Sequence, residues 1–217
     1  MWYQIKKFNV LGVASSMRKE STSTRALKLT LDIINTNYDA EIQILDLRQT
    51  ILPFLYYQEH DKKTEISIAK KMVKWADAFI LSTPDYHGSM AGSMKNFLDY
   101  FWSDFAGKLF GYICSSHEKG LTVMDQMRTA VRQCYGWSMP YGISINGEKD
   151  FTTNGNIRNE VLSQRIQMLA RDIVTYGKLH RNQFLNDLSS HEINTFASHY
   201  RRWLWLLVIR FSLLINS

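Results

Sequence analysis

Three stretches of this 217-residue chain gather side chains that could do chemistry. The first, Ser15-Ser16-Met17-Arg18-Lys19-Glu20-Ser21-Thr22-Ser23-Thr24-Arg25, concentrates hydroxyls and two arginines ahead of a helical segment. Backbone N–H groups, the helix dipole and hydroxyl donors at such a place form a cradle for a phosphate. A solvated serine-rich turn with an ordinary cap is the plain alternative. The second, Thr83-Pro84-Asp85-Tyr86-His87-Gly88, followed by Gly92, lies between an apolar run and a helix. Pro84 ends the strand in this reading. His87-Gly88 lets backbone approach a ligand closely, and the Gly88/Gly92 pair permits close backbone packing. Without its neighbours His87 would read as a plain loop histidine. The third, Cys114-Ser115-Ser116-His117-Glu118-Lys119-Gly120, sets a cysteine near a histidine, which raises a nucleophile and base. Cys114 belongs to an apolar run, however, and reads as buried and inert. The six histidines show no metal-ligand spacing, and there is no nucleophile elbow, dinucleotide glycine fingerprint or P-loop.

These stretches need elements to hold them. Val10–Ala14, Ile42–Leu47, Asp77–Ser82, Leu109–Ser115 and Tyr141–Ile145 read as buried strands. Helical periods fall between them: Ala26–Ile34; a face of Ala69, Met72, Val73 and Ala76; a stripe of Met94, Phe97, Leu98, Phe101 and Trp102; and Leu121–Val131. A last long helix carries Ile157, Val161 and Met168 on one line and Leu162, Ile166, Leu169, Ile173 and Tyr176 on another. Strands alternating with helices predict an α/β fold, a flavodoxin-like three-layer α/β/α arrangement with a five-stranded parallel sheet of order 2-1-3-4-5. Ligands in such sheets sit at the carboxyl ends of the strands. That singles out the loops after strands 1, 3 and 4, which are the three stretches above.

Composition narrows the class. Hydrophobic residues make up 45% and charged residues 21%, ordinary values for a globular domain. The start, MWYQIKKFNV, has no continuous apolar core of a secretory signal. Two cysteines make no disulfide framework and read as reduced thiols in a cytoplasmic protein. A net charge of +6 favours anionic partners. The basic residues are dispersed, which argues against nucleic acid.

Taken together, the loops resemble the NADPH-dependent FMN reductase family of flavin-dependent quinone reductases and azoreductases. The Ser16–Ser23 stretch is similar to the family's phosphate loop. Asp77–Phe101, "DAFILSTPDYHGSMAGSMKNFLDYF", is similar to its P-E-Y turn and K-N-x-L-D helix, and Asp46–Phe54 to its segment after strand 2. The resemblance covers about residues 8 to 180. It implies bound FMN, with NADPH as co-substrate. Ser16, Arg18, Ser21 and Ser23 would hold the phosphate; Pro84, Asp85, Tyr86, His87 and Gly88 would run along the flavin ring; Ser115, Ser116 and His117 would form the third flavin loop. Ser15 and Ser116-His117 stand where the family often has glycine, which bears on phosphate and ring contacts.

The activity so implied is hydride transfer from NADPH to FMN and then to a quinone, azo compound or free flavin, in a ping-pong cycle. The cofactor does the chemistry, so no catalytic side chain is expected. Backbone N–H groups near His87 are expected to face the reduced flavin's charge, and Arg18 or the general positive charge to receive the 2′-phosphate of NADPH. A flavodoxin-type carrier or a redox-sensing module is the rival reading. Carriers of that type are typically acidic, and this chain is basic. Residues 1–180 read as the reductase domain and 181–217 as an extension. Its tail from Arg201, RRWLWLLVIRFSLLINS, is too short and too charged to span a membrane. Packing on self or on a subunit, contact with a membrane surface, and no role at all are the readings for it. The resemblance also implies a homodimer or homotetramer.

Overall fold

The computed structural model describes residues 7–55, 64–152, 154–190 and 192–200. The readings of residues 201–217 therefore lie outside the described residues. The central strand β1, Phe8–Ala14, is buried along its whole length. It pairs in parallel with β2, Ala40–Asp46, on one side and with β3, Ala78–Tyr86, on the other. The strand β5, Leu109–Ser115, continues the sheet beyond β3. Its outer edge is shared by two short parallel pieces, β6 at Trp137–Ser138 and β7 at Ile143–Ile145. The order of the parallel strands is the expected 2-1-3-4-5, with the fifth strand in two pieces. Pro140 lies between those pieces and has no N–H to give to a ladder. A further two-residue strand, β4 at Ser89–Met90, folds back antiparallel on the end of β3.

Burial on both faces explains why the strands read as short apolar runs. Leu11, Val13, Phe79, Leu81, Phe110 and Tyr112 point into one core. It is closed by α2 (Thr64–Trp75), α3 (Gly92–Asp99) and α4 (Leu121–Gln133). Val10, Ala14, Ala78, Ile80, Leu109 and Ile113 point into the other core, beneath α1 (Thr22–Asn37) and α6 (Glu160–Ser189). A one-turn helix, α5 at Gly147–Asp150, follows β7. In the first core Phe79 stacks on Phe110 at 4.6 Å, and Phe105 meets both edge-on. Each such ring taken fully out of water contributes on the order of 2–3 kcal/mol.

Three sequence expectations shift. β3 does not stop at Pro84 but runs to Tyr86. The Ser82 carbonyl accepts from the Ser15 N–H, and alternation turns Pro84 to that same side. β1 has left the sheet by then, so the missing proline N–H has no strand to serve. The third helix ends at Asp99, leaving Phe101 buried and Trp102 exposed beyond it. In α6 the line of Leu162, Ile166, Leu169 and Ile173 packs on the sheet, but Tyr176, expected to end that line, is exposed, as are Val161 and Met168 of the other. Ile157 precedes the helix, in the segment whose backbone bridges to Phe151. The Asn159 side chain caps α6 by accepting from the N–H groups of Val161 and Leu162. The helix is continuous through residue 180, and its later part packs Phe184 against Ala106, Ala197 and Tyr200.

Candidate functional site: three loops at the carboxyl edge of the sheet

The loop after β1 is positioned by its own serines. Ser15 is fully buried, and both its N–H and its hydroxyl donate to the Ser82 carbonyl, at 3.0 and 3.1 Å. Its side chain therefore pins the loop to β3 and does not enter the space a glycine would have left. Ser21 is the cap residue of α1, with its hydroxyl accepting from the Thr24 N–H. Among the described residues the N–H groups of Thr22 and Ser23 have no acceptor in the protein, as the first turn of a helix requires. Arg25 is drawn off to Glu20, at 3.3 Å, and over the Phe151 ring.

Side-chain hydrogen bonds stitch the three loops to one another. The Thr22 and Ser115 hydroxyls lie 2.7 Å apart, joining the first loop to the third. The Asp85 carboxylate accepts from the Gly88 N–H through Oδ1 and from the Ser116 hydroxyl through Oδ2, each at 2.8 Å. It thus closes its own turn and ties that turn to the third loop. Between them, His87 adopts a left-handed backbone with φ 57°. Of the backbone N–H groups near His87 expected to face the flavin, that of Gly88 is turned inward to Asp85. The Ser116 N–H is likewise committed, to the Ile145 carbonyl at 2.9 Å.

These loops enclose a cavity of about 410 Å³. The first loop contributes Ser16, Arg18, Glu20, Ser21 and Thr22; the second contributes Pro84, Asp85 and Tyr86; the third contributes Ser115, Ser116 and His117, and Gly147 closes the side. Three of the residues singled out from the sequence are not in its wall. Ser23 is buried beneath it, its hydroxyl 2.9 Å from that of Ser21. His87 is exposed outside it. Gly88 borders an adjoining cavity of about 540 Å³ that shares Asp85 and is closed by the Glu118–Thr122 segment. A Cβ at Gly88 or Gly92 would meet nothing within 4 Å. The expected close backbone packing at this pair is therefore corrected to open space. Sequence reasoning passed over Glu20, Thr22 and Gly147. The turn at Asn146-Gly147, just after the fifth strand, was the available signal for the last.

The chemistry of the walls excludes one reading. Cys114 is fully buried. Burial first, and then the Asp85 charge, push its thiol up to about 12, so it holds no thiolate at neutral pH. No group of three or more metal-ligating side chains is found among the described residues, and no helix among them is long and apolar enough to cross a membrane.

A parallel sheet in this order, with a polar cavity where strand order reverses, defines a flavodoxin-like α/β protein. Solved structures share the fold. An NAD(P)H:acceptor flavoenzyme from Paracoccus denitrificans superposes with a TM-score of 0.68 at 18% identity, over 80% of this chain and 98% of that one. A flavodoxin from the domain Archaea gives 0.56 at 14% identity, over 79% and 99%. Residues 8–150 match the model of the NADPH-dependent FMN reductase family, and the chain belongs to that family of oxidoreductases. A curated relative, the NADPH azoreductase of Bacillus sp. (strain OY1-2), is 29% identical over 111 residues, 49% of this chain and 62% of the relative. The FMN-dependent NADPH-azoreductase of Staphylococcus saprophyticus is 27% identical over 173 residues, 74% of this chain and 90% of the relative.

Proposed function

We propose that the cavity holds FMN and that the protein passes electrons from NADPH to a small-molecule acceptor, a quinone, azo compound or free flavin, with the two substrates taking turns at one open face. The observation that carries this reading is the donor set on one side of the cavity. The unpartnered N–H group of Thr22, the hydroxyls of Ser16 and Ser21, and the Arg18 guanidinium suit a phosphate dianion, with the unpartnered N–H group of Ser23 just beneath the wall. Pro84–Tyr86 and Ser115–His117, tied to each other through Asp85 and Ser116, complete the lining and would border the flat ring system. Ser23 acts here through its N–H and through its bond to Ser21. Gly88 and His87 border the approach of the second substrate rather than the cofactor.

FMN supplies hydride acceptance and electron delivery. The chain's part is to bind, orient and exclude. Asp85 fixes the turn against the third loop, Thr22 fixes the first loop against the third, and Tyr86, 40% exposed, borders the mouth. No wall residue is required as an acid or base. The same reading carries a cytoplasmic homo-oligomer, supported by Val161, Met168, Tyr176 and Leu179, which stand exposed along α6. Light scattering of the purified protein tests that part. The main test is the visible spectrum of the protein with FMN, before and after anaerobic NADPH. Bleaching followed by reoxidation on adding an acceptor supports the reading. A protein that fails to bind FMN ends it.

A further inference from the structure

A second cavity, of about 530 Å³, lies far from the loops just described. Its walls come from the last turns of α4 and from β6, and Trp137 of β6 pairs with Leu109, the first residue of β5. Ser115 at the flavin-side cavity is the last residue of β5. At about 3.3 Å per residue the two sites stand roughly 20 Å apart along the strand.

The walls combine flat rings with fixed positive charge. Trp137 is 46% exposed, with its ring 5.1 Å from that of His180 and edge-on to Phe196 at 6.4 Å. Tyr135 lies 6.2 Å from Phe196. Burial lowers the pKa of His180, so the imidazole beside Trp137 is neutral at pH 7 and adds no charge. The charge comes from Arg128 and Arg132, one turn apart on α4. Arg128 sits over the Tyr112 ring at 5.2 Å, and its ion partner Asp125 is 71% exposed. An exposed pair of that kind is weak and leaves the other N–H groups of the guanidinium for a ligand. Arg132 is exposed and has no ion pair among the described residues.

The backbone at this wall is forced. The Gly136 N–H bonds to the Val131 carbonyl and the Tyr135 N–H to the Arg132 carbonyl, the helix-ending arrangement whose left-handed position normally holds glycine. Tyr135 occupies that position with φ 64°. The glycine is placed one residue later, where a Cβ would come within 2.6 Å of Val131 and 2.9 Å of the Phe110 ring. Packing of the Tyr135 ring on Phe196 at 6.2 Å and edge-on to Tyr200 at 5.7 Å holds this conformation against its strain. Here the ring of Tyr135 lines the cavity.

We propose that this cavity binds a planar aromatic molecule carrying an anionic substituent, its ring among Tyr135, Trp137 and Phe196 and its anion on Arg132 and Arg128. Rings stack on aromatic walls, and paired guanidinium donors select a carboxylate, sulfonate or phosphate. The chain's own tail from Arg201 fits the charge poorly, since Arg201, Arg202 and Arg210 carry the same sign as the rim.

The test is calorimetry on the full chain with FMN saturating the first cavity and 2-naphthalenesulfonate as the probe. The expected result is one site with a dissociation constant below about 1 mM. Arg132→Glu should weaken binding by at least about tenfold, Trp137→Ala should do so to a similar degree, and 2-naphthol should bind correspondingly less well than the sulfonate. Both substitutions fall on exposed side chains, and unchanged FMN affinity in each variant verifies the fold. Absence of binding overturns the proposal. So does binding of equal strength to the wild type and Arg132→Glu, which puts the probe elsewhere, or equal binding of the neutral naphthol.

Discussion

Replacing Asp85 by alanine tests whether the flavin-side turn is held by that carboxylate or by its strand pairing. The substitution removes two hydrogen bonds at once, from the Gly88 N–H and from the Ser116 hydroxyl, each at 2.8 Å. A hydrogen bond to a charged acceptor contributes about 1.5–3 kcal/mol when shielded. The Gly88 bond is exposed to water and counts for much less, while Ser116 is only 9% exposed and counts nearly in full. Together they hold the turn against the tendency of His87, at φ 57°, to leave its left-handed backbone. A net loss of about 2 kcal/mol lowers the population of the closed turn by as much as roughly 30-fold. The apparent dissociation constant of FMN should therefore rise by about 5- to 30-fold, read from the quenching of FMN fluorescence at equilibrium. Apoprotein melting should move little, because the turn can open without the sheet. Ser116→Ala removes the shielded bond, together with the one its hydroxyl accepts from the Glu118 N–H at 3.1 Å, and leaves the Gly88 bond in place; it should give most of the effect. An Asp85→Ala affinity within about twofold of wild type would mean that pairing with Ser89–Met90 alone holds the turn, and the reasoning would be wrong.

Three further outcomes follow from particular contacts. In Gly147→Ala the new Cβ lies 2.9 Å from Thr22 Cγ2, so Thr22 must move off Ser115; FMN titration should show weaker binding by about 3- to 10-fold with the melting temperature unchanged. Because burial lowers the His180 pKa below its ordinary 6.5, the unfolded chain takes up more protons there than the folded one. That contribution to stability is present above about pH 6.5 and is lost as pH falls through the folded value, so His180→Gln should flatten the acid side of a melting-temperature profile. Cys114, fully buried and with its thiol pushed up to about 12, should react with iodoacetamide only on global unfolding, whereas half-buried Cys134 reacts first; peptide mapping distinguishes the two.

What the sequence discloses and what it hides separate along physical lines. A sheet buried on both faces leaves short apolar runs such as Val10–Ala14 and Leu109–Ser115, and alternation with helical periods leaves few topologies. The strand order and the loops that meet at the carboxyl edge follow from that local pattern. The same pattern is silent on contacts that depend on a distant partner. Pro84 continues a strand because β1 has already turned away, a fact about residue 15. Ser116 faces Asp85, 31 positions earlier in the chain, and Ser15 turns inward to Ser82. Periodicity gives two apolar lines on α6 with nothing to choose between them, and only the position of the sheet buries one.

The charge of the chain illustrates the same separation at the scale of the whole molecule. A net +6 invites an anionic ligand, yet the cavity wall holds one arginine, Arg18, against the carboxylates of Glu20 and Asp85, and Glu20 is itself paired with Arg25. The excess positive charge is therefore not gathered where the phosphate would sit. Attraction to that wall rests on fixed dipoles, the free N–H groups at the start of α1 and the hydroxyls around them, with a single guanidinium in support. Dipoles of this kind act over one turn of helix, whereas net charge acts over a Debye length. The first selects a phosphate by position once it has arrived. The second only raises the rate at which any anion arrives, at this cavity and at the arginine-edged one on the far end of β5 alike.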